Sequence, residues 1–167
     1  MKHTEIPAFI ADCHLGKVAK YLRMMGYDTL YFSHIGDDDL IDLANVQERI
    51  ILTRDRELSE RKKAPCLLLK ETKTKEQLQE IIRQFDLHAG HDHFTRCIVC
   101  NTPLLPIDKQ KVIERIPEKV AHYFNYFELC PTCERIYWHG DHYKRMKQFI
   151  DSLTLRTNQA NIRLMAK

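Results

Sequence analysis

Four cysteines and a scatter of aspartates are the residues of this 167-residue chain whose types and spacing could do chemistry. The cysteines form two brackets, Cys97-Ile98-Val99-Cys100 and Cys130-Pro131-Thr132-Cys133, with 29 residues between them. A C-x-x-C turn brings two thiolates onto one centre, and two such turns complete the tetrahedral shell of soft ligands that Zn²⁺ takes. Cys97, Cys100, Cys130 and Cys133 are therefore expected to hold one structural zinc. Closing a loop of that length costs little. His91, His93, His139 and His142 are spare donors beside four better ones. Cys13 and Cys66 fall in or beside expected strands, where free thiols are commonly buried. With four cysteines on metal and two free, the expected setting is reducing and cytoplasmic.

The aspartates collect at one kind of position. Asp12 follows the apolar run Ala8-Phe9-Ile10-Ala11. Asp37, Asp38 and Asp39 follow the β-branched and aromatic stretch Thr29 to Phe32 and open a helix. Asp55 follows Ile50-Ile51-Leu52-Thr53. In a parallel sheet all of these lie at the C-terminal edge, where open α/β folds bind ligands. Like charges brought together need a counter-ion, and an all-oxygen donor set selects Mg²⁺ or Mn²⁺. Such a site could activate water and neutralise charge on a phosphodiester. Any one of these acids alone reads equally well as a helix cap or a turn residue. Their recurrence at three strand ends favours the metal.

The elements that must position them alternate. Four short strands are expected at Ala8–Ala11, Thr29–Phe32, Ile50–Thr53 and Cys66–Leu69. Between the first two, Leu15, Val18, Ala19 and Leu22 recur at helical spacing, with Gly26 as the C-terminal stop. Leu40, Ile41, Leu43 and Ala44 supply a second helix, and a short charged one lies near Glu57–Lys63. Thr74 and Gln77 suggest a capping box ahead of Leu78, Ile81, Ile82 and Phe85. The fold class is thus α/β, a mostly parallel sheet with helices on both faces, followed by a small zinc-ribbon module. The expected division is 1–90 for the α/β unit, with a histidine-rich junction from His88 to Arg96. The ribbon is expected at 91–150, and a basic, partly disordered tail at 151–167.

Composition excludes several classes. No apolar run approaches the ~18 residues of a membrane helix. The start, with Glu5 and Asp12 around a short apolar stretch, does not read as a signal peptide. Five glycines with no G-x-G-x-x-G and no P-loop argue against a nucleotide cofactor. A phosphoacceptor receiver would want paired acids after strand one and a fifth strand, and a haloacid-dehalogenase-type phosphatase would want D-x-D where Asp12-Cys13-His14 stands. Residues 1–90 sum to a charge of −1 and residues 91–167 to +4, an asymmetry that mildly favours a nucleic-acid partner for the second half.

The run Phe9-Ile10-Ala11-Asp12…Leu15-Gly16…Ala19…Leu22-Arg23…Gly26-Tyr27-Asp28-Thr29 resembles the opening of the Mut7-C domain. Ile51-Leu52-Thr53-Arg54-Asp55-Arg56-Glu57-Leu58 resembles a second stretch of it. The likeness continues through Arg96-Cys97-x-x-Cys100-Asn101, Ile116-Pro117, Cys130-x-x-Cys133 and Tyr137-Trp138-x-Gly140-x-His142, over about residues 6–150. The resemblance implies a PIN-like ribonuclease domain with a zinc ribbon, cutting RNA with Mg²⁺ or Mn²⁺ held by clustered acids. It implies Asp12 as the first acid, Asp55 as the acid of the T-R-D motif and Asp37 as the middle acid, with Asp38 or Asp39 as alternatives. Glu57 is the candidate for a fourth.

Lys17, Lys20 and Arg23 share the face of the first helix opposite its apolar stripe, beside Asp12, and could guide a phosphate backbone. Arg54 sits among the acids. In the second half Arg96, Arg145 and His142 accompany tyrosines and Trp138, a mixture that suits single-stranded RNA, although small zinc modules also need aromatics for a core. The expected function is metal-dependent hydrolysis of RNA. The alternatives are a non-catalytic RNA- or protein-binding adaptor that works through its ribbon, or a toxin-like nuclease under a partner's control. Neither the oligomeric state nor a protein partner follows from the sequence.

Overall fold

A computed structural model describes residues 6–87 and 92–165, with side chains of the last helix described as far as Leu153. Residues 88–91 of the histidine-rich junction, His91 included, lie outside the described residues. Four strands, β1 (Phe9–Ala11), β2 (Thr29–Tyr31), β3 (Ile50–Thr53) and β4 (Cys66–Leu68), form one sheet in the order β2-β1-β3-β4, every pair parallel. The helices between and after them are α1 (Gly16–Met24), α2 (Asp37–Val46), α3 (Arg56–Glu60) and α4 (Thr74–Phe85).

The pleat sorts side chains to two faces. Phe9, Ala11 and Leu52 pack with Leu15, Val18, Ala19 and Leu22 of the first helical segment and Leu78, Ile81 and Ile82 of α4. Ile10 and Ile51 pack on the other face with Leu40, Ile41 and Ala44 of α2 and Leu58 of α3. The chain therefore winds one way from β1 to β2, then returns across β1 to lay down β3. That reversal makes the C-terminal edge between β1 and β3 a topological switch point.

Helix ends follow local chemistry. After α1, Gly26 takes φ 87°. Its N–H bonds the Arg23 carbonyl, and the Tyr27 N–H bonds the Leu22 carbonyl, the paired closure expected of a left-handed glycine. Glu48 closes α2 the same way at φ 51°, without glycine's freedom. The expected capping box at Thr74 does not form. Lys73 stands at the cap position with no side-chain capping bond, and the Gln77 amide donates to the Glu71 carbonyl instead.

The second half contains β5 (Leu105–Ile107), β6 (Phe127–Leu129) and β7 (Ile136–Tyr137), an antiparallel sheet in that order. A short helix, α5 (Glu118–Tyr123), precedes β6. Val112, Ile116 and Phe127 form its small core, with Trp138 packed against it. The last helix, α6 (Asp141–Met165), runs straight through the boundary expected at 150 and through the segment expected as a tail. Its Ile150 and Leu153 are fully buried in the same cluster as Phe9 and Leu22.

Candidate functional site

Two chemical centres occupy opposite ends of the parallel sheet. At the C-terminal edge, Asp12 leaves β1 and caps a 3-10 turn, Cys13–Leu15. Its carboxylate is nearly buried, at 9% residue exposure. The Thr53 hydroxyl, on the end of neighbouring β3, donates to Asp12 Oδ2 at 2.7 Å. Thr53 Oγ1 accepts the Asp55 N–H at 2.9 Å. A short hydrogen-bonded relay thus ties the Asp12 carboxylate to the backbone of Asp55 through a threonine for which the sequence suggests no role. Burial works to raise the Asp12 pKa, but bonds from the Cys13 and Thr53 side chains and the His14 backbone outweigh it and hold the carboxyl below its usual range. Asp12 is therefore a fixed anion.

Asp55 caps α3, accepting the N–H groups of Glu57 and Leu58. Glu57 is exposed on that first turn. Asp37 and Asp38 open α2, and Arg61 forks between them, 3.0 Å from each. Asp39 is exposed beside them. The counter-charge for the middle acids is thus partly a guanidinium. Among the described residues no three of these carboxylates come within 4.8 Å of one another. The group that does close to that distance here is Asp12, Cys13 and His14, a mixed oxygen, sulfur and nitrogen set softer than Mg²⁺ favours.

Gly16 shapes this edge. A Cβ there would lie 2.7 Å from the Tyr31 ring, and the Tyr31 hydroxyl donates to the Cys13 carbonyl at 3.0 Å. Gly16→Ala should therefore push the ring off the Asp12 turn and cost about 1–3 kcal/mol, the usual range for overpacking. A urea melt checks the loss, and adding Tyr31→Phe should recover only part of it, because the hydroxyl contact goes but the ring carbons remain.

At the opposite edge the four cysteines converge. Cys97 Sγ lies 3.5 Å from Cys133 Sγ and Cys100 Sγ 3.3 Å from Cys130 Sγ. All four sulfurs fall within 4.8 Å of one another, and none is in a disulfide. Sulfurs around zinc at about 2.3 Å stand about 3.8 Å apart in a tetrahedron, so the set could hold a metal such as zinc. The two turns are built alike. The N–H groups of Asn101 and Glu134 bond the carbonyls of Cys97 and Cys130, each at 2.9 Å. Asn101 and Glu134 take φ 71° and 57°. Burial works to raise the Cys100 thiol, yet bonds with the Thr102 side chain and backbone bring it down to about 6. Burial and the neighbouring thiols push Cys133 up to about 12. Four such thiols do not ionise together without a cation among them.

The first of these turns is docked on the α/β unit. Arg23 is only 4% exposed. Its guanidinium donates to the carbonyls of Thr29, Ile98 and Val99. This corrects its expected place on the solvent face of α1: the residue is spent holding the cysteine turn. The Asn101 side chain accepts the Thr29 N–H at 3.0 Å and donates to Asp28 at 2.7 Å. Asp28 also binds Arg49 at 2.6 Å. Arg96 donates to the carbonyls of Gly26 and Asn101, so it too is engaged in this joint. Lys17, Lys20, Arg54, His142 and Arg145 are exposed, as a phosphate-contacting residue must be.

Removing a metal from the four thiols should therefore be felt on both sides of the joint. Hydrogen exchange after chelation should rise at the amides of Asn101 and Glu134, and also at Thr29, whose N–H depends on Asn101. The Ile51 amide, bonded to Pro65 inside the α/β unit, should stay protected. A Thr29 amide indifferent to chelation would show that the turn keeps its shape without metal.

A parallel α/β unit with a nearly buried acid at its switch point, joined to a four-cysteine ribbon, is the class of protein defined here. The chain belongs to the Mut7-C RNAse domain family, whose model matches residues 7–150. Comparison with curated proteins and with solved structures returned no significant match. Membership of a ribonuclease domain family implies nuclease activity in general terms and RNA as the substrate class. No described helix is long and apolar enough to cross a membrane.

Proposed function

We propose that the protein is a PIN-like ribonuclease that hydrolyses single-stranded RNA with Mg²⁺ or Mn²⁺ at the Asp12 edge, and that Zn²⁺ on Cys97, Cys100, Cys130 and Cys133 is structural. The observation that carries this is the Asp12–Thr53–Asp55 relay at the switch point of a chain in a ribonuclease domain family. Asp12 and Asp55, with Asp37, would hold the catalytic ion. When bound, that ion would supply a polarised water and neutralise charge on the scissile phosphate. Thr53 fixes the orientation of the Asp12 carboxylate and keeps its second oxygen occupied. Lys17 and Lys20, exposed on α1 beside this edge, would draw the phosphate backbone in, with Arg54 next to the acids.

The test is incubation of the purified protein with end-labelled single-stranded RNA, with and without Mn²⁺, over a salt series. Cleavage should require the added ion. Binding should weaken with salt at a log–log slope of roughly −0.7 per phosphate contact. RNA left intact under every divalent ion would support a non-catalytic adaptor instead. One observation favours that second function: Arg61 already occupies Asp37 and Asp38, as in a site whose charge is compensated without metal.

A further inference from the structure

We infer that the ribbon carries a binding site for one unstacked nucleobase, in the cleft between β7 and the start of α6. The inference rests on the RNA substrate proposed above. The cleft encloses about 210 Å³. That is below the ~300–1,000 Å³ of pockets for drug-sized ligands, so it suits a single ring system rather than a folded segment. Phe94, Tyr137, Trp138 and Tyr143 provide its aromatic walls. All four are only half-buried: Trp138 and Phe94 each pack on a core, and each still leaves part of its ring accessible. The motif Tyr137-Trp138-x-Gly140-x-His142 has no part in the acid edge and touches the cysteine centre only through the Tyr137 hydroxyl, 3.1 Å from Cys97 Sγ, yet all four of its residues line this one cleft. Gly140 explains its own place in the motif. A Cβ there would sit 3.0 Å from Trp138 Nε1, so the absence of a side chain lets the indole lie against the backbone and form a wall.

The mouth of the cleft is shaped for a flat, polar-edged ring with a charged tail. His139 stacks on Tyr143 at 3.9 Å and 14°. Tyr126 lies against His139, and Phe94 against Tyr143, so rings extend the platform beyond the cleft. Stacking of bases on aromatic faces is the sequence-tolerant part of single-strand recognition. The Glu128 carboxylate also lines the cleft. It accepts a bond from the Tyr126 hydroxyl, and its remaining acceptor capacity suits an exocyclic amino group. Adenine, cytosine and guanine carry one; uracil does not. Lys144, Arg145 and Lys147 are exposed on the adjoining turns of α6, the side on which a phosphate would leave. The cleft belongs to the ribbon, whose cysteine turn docks at the sheet edge opposite Asp12. A base held here is therefore not the one at the scissile bond but an anchor further along the strand.

Trp138 is the chain's one tryptophan, so its fluorescence reports the cleft directly. The zinc-loaded full chain would be titrated with adenosine, cytidine and uridine 5′-monophosphates and with ribose 5-phosphate, and separately, by calorimetry because its own indole fluoresces, with tryptophanamide. Saturable quenching is expected from the first two, at least fivefold weaker affinity for uridine monophosphate, and no response to ribose 5-phosphate. Tyr143→Ala should weaken adenosine monophosphate binding tenfold or more. Glu128→Gln should remove the discrimination against uridine. Zinc content and circular dichroism verify folding, and His139→Ala supplies a milder second variant if Tyr143→Ala fails to fold.

Equal responses to ribose 5-phosphate and the nucleotides would overturn the inference. So would tryptophanamide binding without nucleotide binding, which would make the cleft a seat for a protein side chain. Unchanged affinity in both aromatic variants would also overturn it. Base binding and cleavage fail separately. Quenching without any RNA cleavage keeps the base site and removes the nuclease. Cleavage without quenching does the reverse. If both hold, Tyr143→Ala should lower kcat/KM on a long RNA and leave a dinucleotide unaffected, because a dinucleotide cannot reach both places.

Discussion

Asp12→Asn should abolish RNA cleavage while the protein still folds. The carboxylate is fixed by Thr53 and held ionised by its hydrogen bonds. An amide keeps the shape and one acceptor, but loses the charge that would hold the ion. The expected fall exceeds the ~10–100-fold typical of residues that merely support a ligand. Thr53→Val, which removes the relay but keeps the volume, should fall within that range, and Thr53→Ser should restore most of the rate. Stability of Asp12→Asn should fall by about 1–2 kcal/mol, since both carboxylate oxygens accept hydrogen bonds and the amide can keep only one of them. The pH profile adds a check. A carboxyl whose pKa is lowered stays charged down through the usual carboxylate range, so Asp12 cannot set an acid limb lying above about pH 4. Single-turnover rates with Mn²⁺ measure all of this. Wild-type cleavage by Asp12→Asn would remove the residue from the site. If Asp37→Asn is silent and Asp38→Asn inactive, the middle acid is the second of the two that Arg61 binds.

Arg23→Ala should destabilise the protein by about 3 kcal/mol or more. Its guanidinium serves three carbonyls, two of them in the Cys97–Cys100 turn. A buried carbonyl stripped of its donor costs about 1–3 kcal/mol, and a cavity remains where the side chain was. Lysine keeps a charge but not the fork, so Arg23→Lys should recover only part of the loss. Because the turn loses its anchor, a chelator should strip metal from Arg23→Ala faster than from the wild type. Denaturant melts and chelator-competition rates are the measurements. RNA affinity reduced at unchanged stability and metal retention would put Arg23 back on the phosphate-contacting surface.

That residue also marks how far the sequence could be read. Buried parallel strands appear as short apolar runs, and helices between them carry one periodic stripe, so β1 to β4 and α1, α2 and α4 were legible to within a residue or two, while the short charged α3 ends three residues before its expected end. The acids at strand ends followed from the same pattern. What periodicity cannot see is a second packing partner. Arg23 stands off the apolar stripe of α1 and reads as solvent-facing, but a turn 75 residues further on covers it. Arg61 was invisible as a partner of Asp37 for the same reason, since nothing local ties the end of α3 to the start of α2. The extent of α6 was there to be found: Met146, Phe149, Ile150 and Leu153 keep helical spacing across residue 150, and all four pack on the first core. A boundary drawn where the ribbon motifs stop cut through that pattern. Thr53 carried no signal beyond its motif, because a strand-end threonine is ordinary until its hydroxyl is seen between the Asp12 carboxylate and the Asp55 N–H.

The burial of Ile150 and Leu153 beside Phe9 and Leu22 has a consequence for synthesis. A chain emerging from the ribosome commonly folds its N-terminal domain first. Here the α/β unit is made early, but the surface that α6 covers stays open until residues beyond 150 have left the exit tunnel. Between those two moments the nascent chain presents an apolar face with no cover of its own. A stop codon just after the cysteine turns would leave that face exposed for good, and such a truncated product should be a target for chaperones and proteases even with its acids and thiols intact.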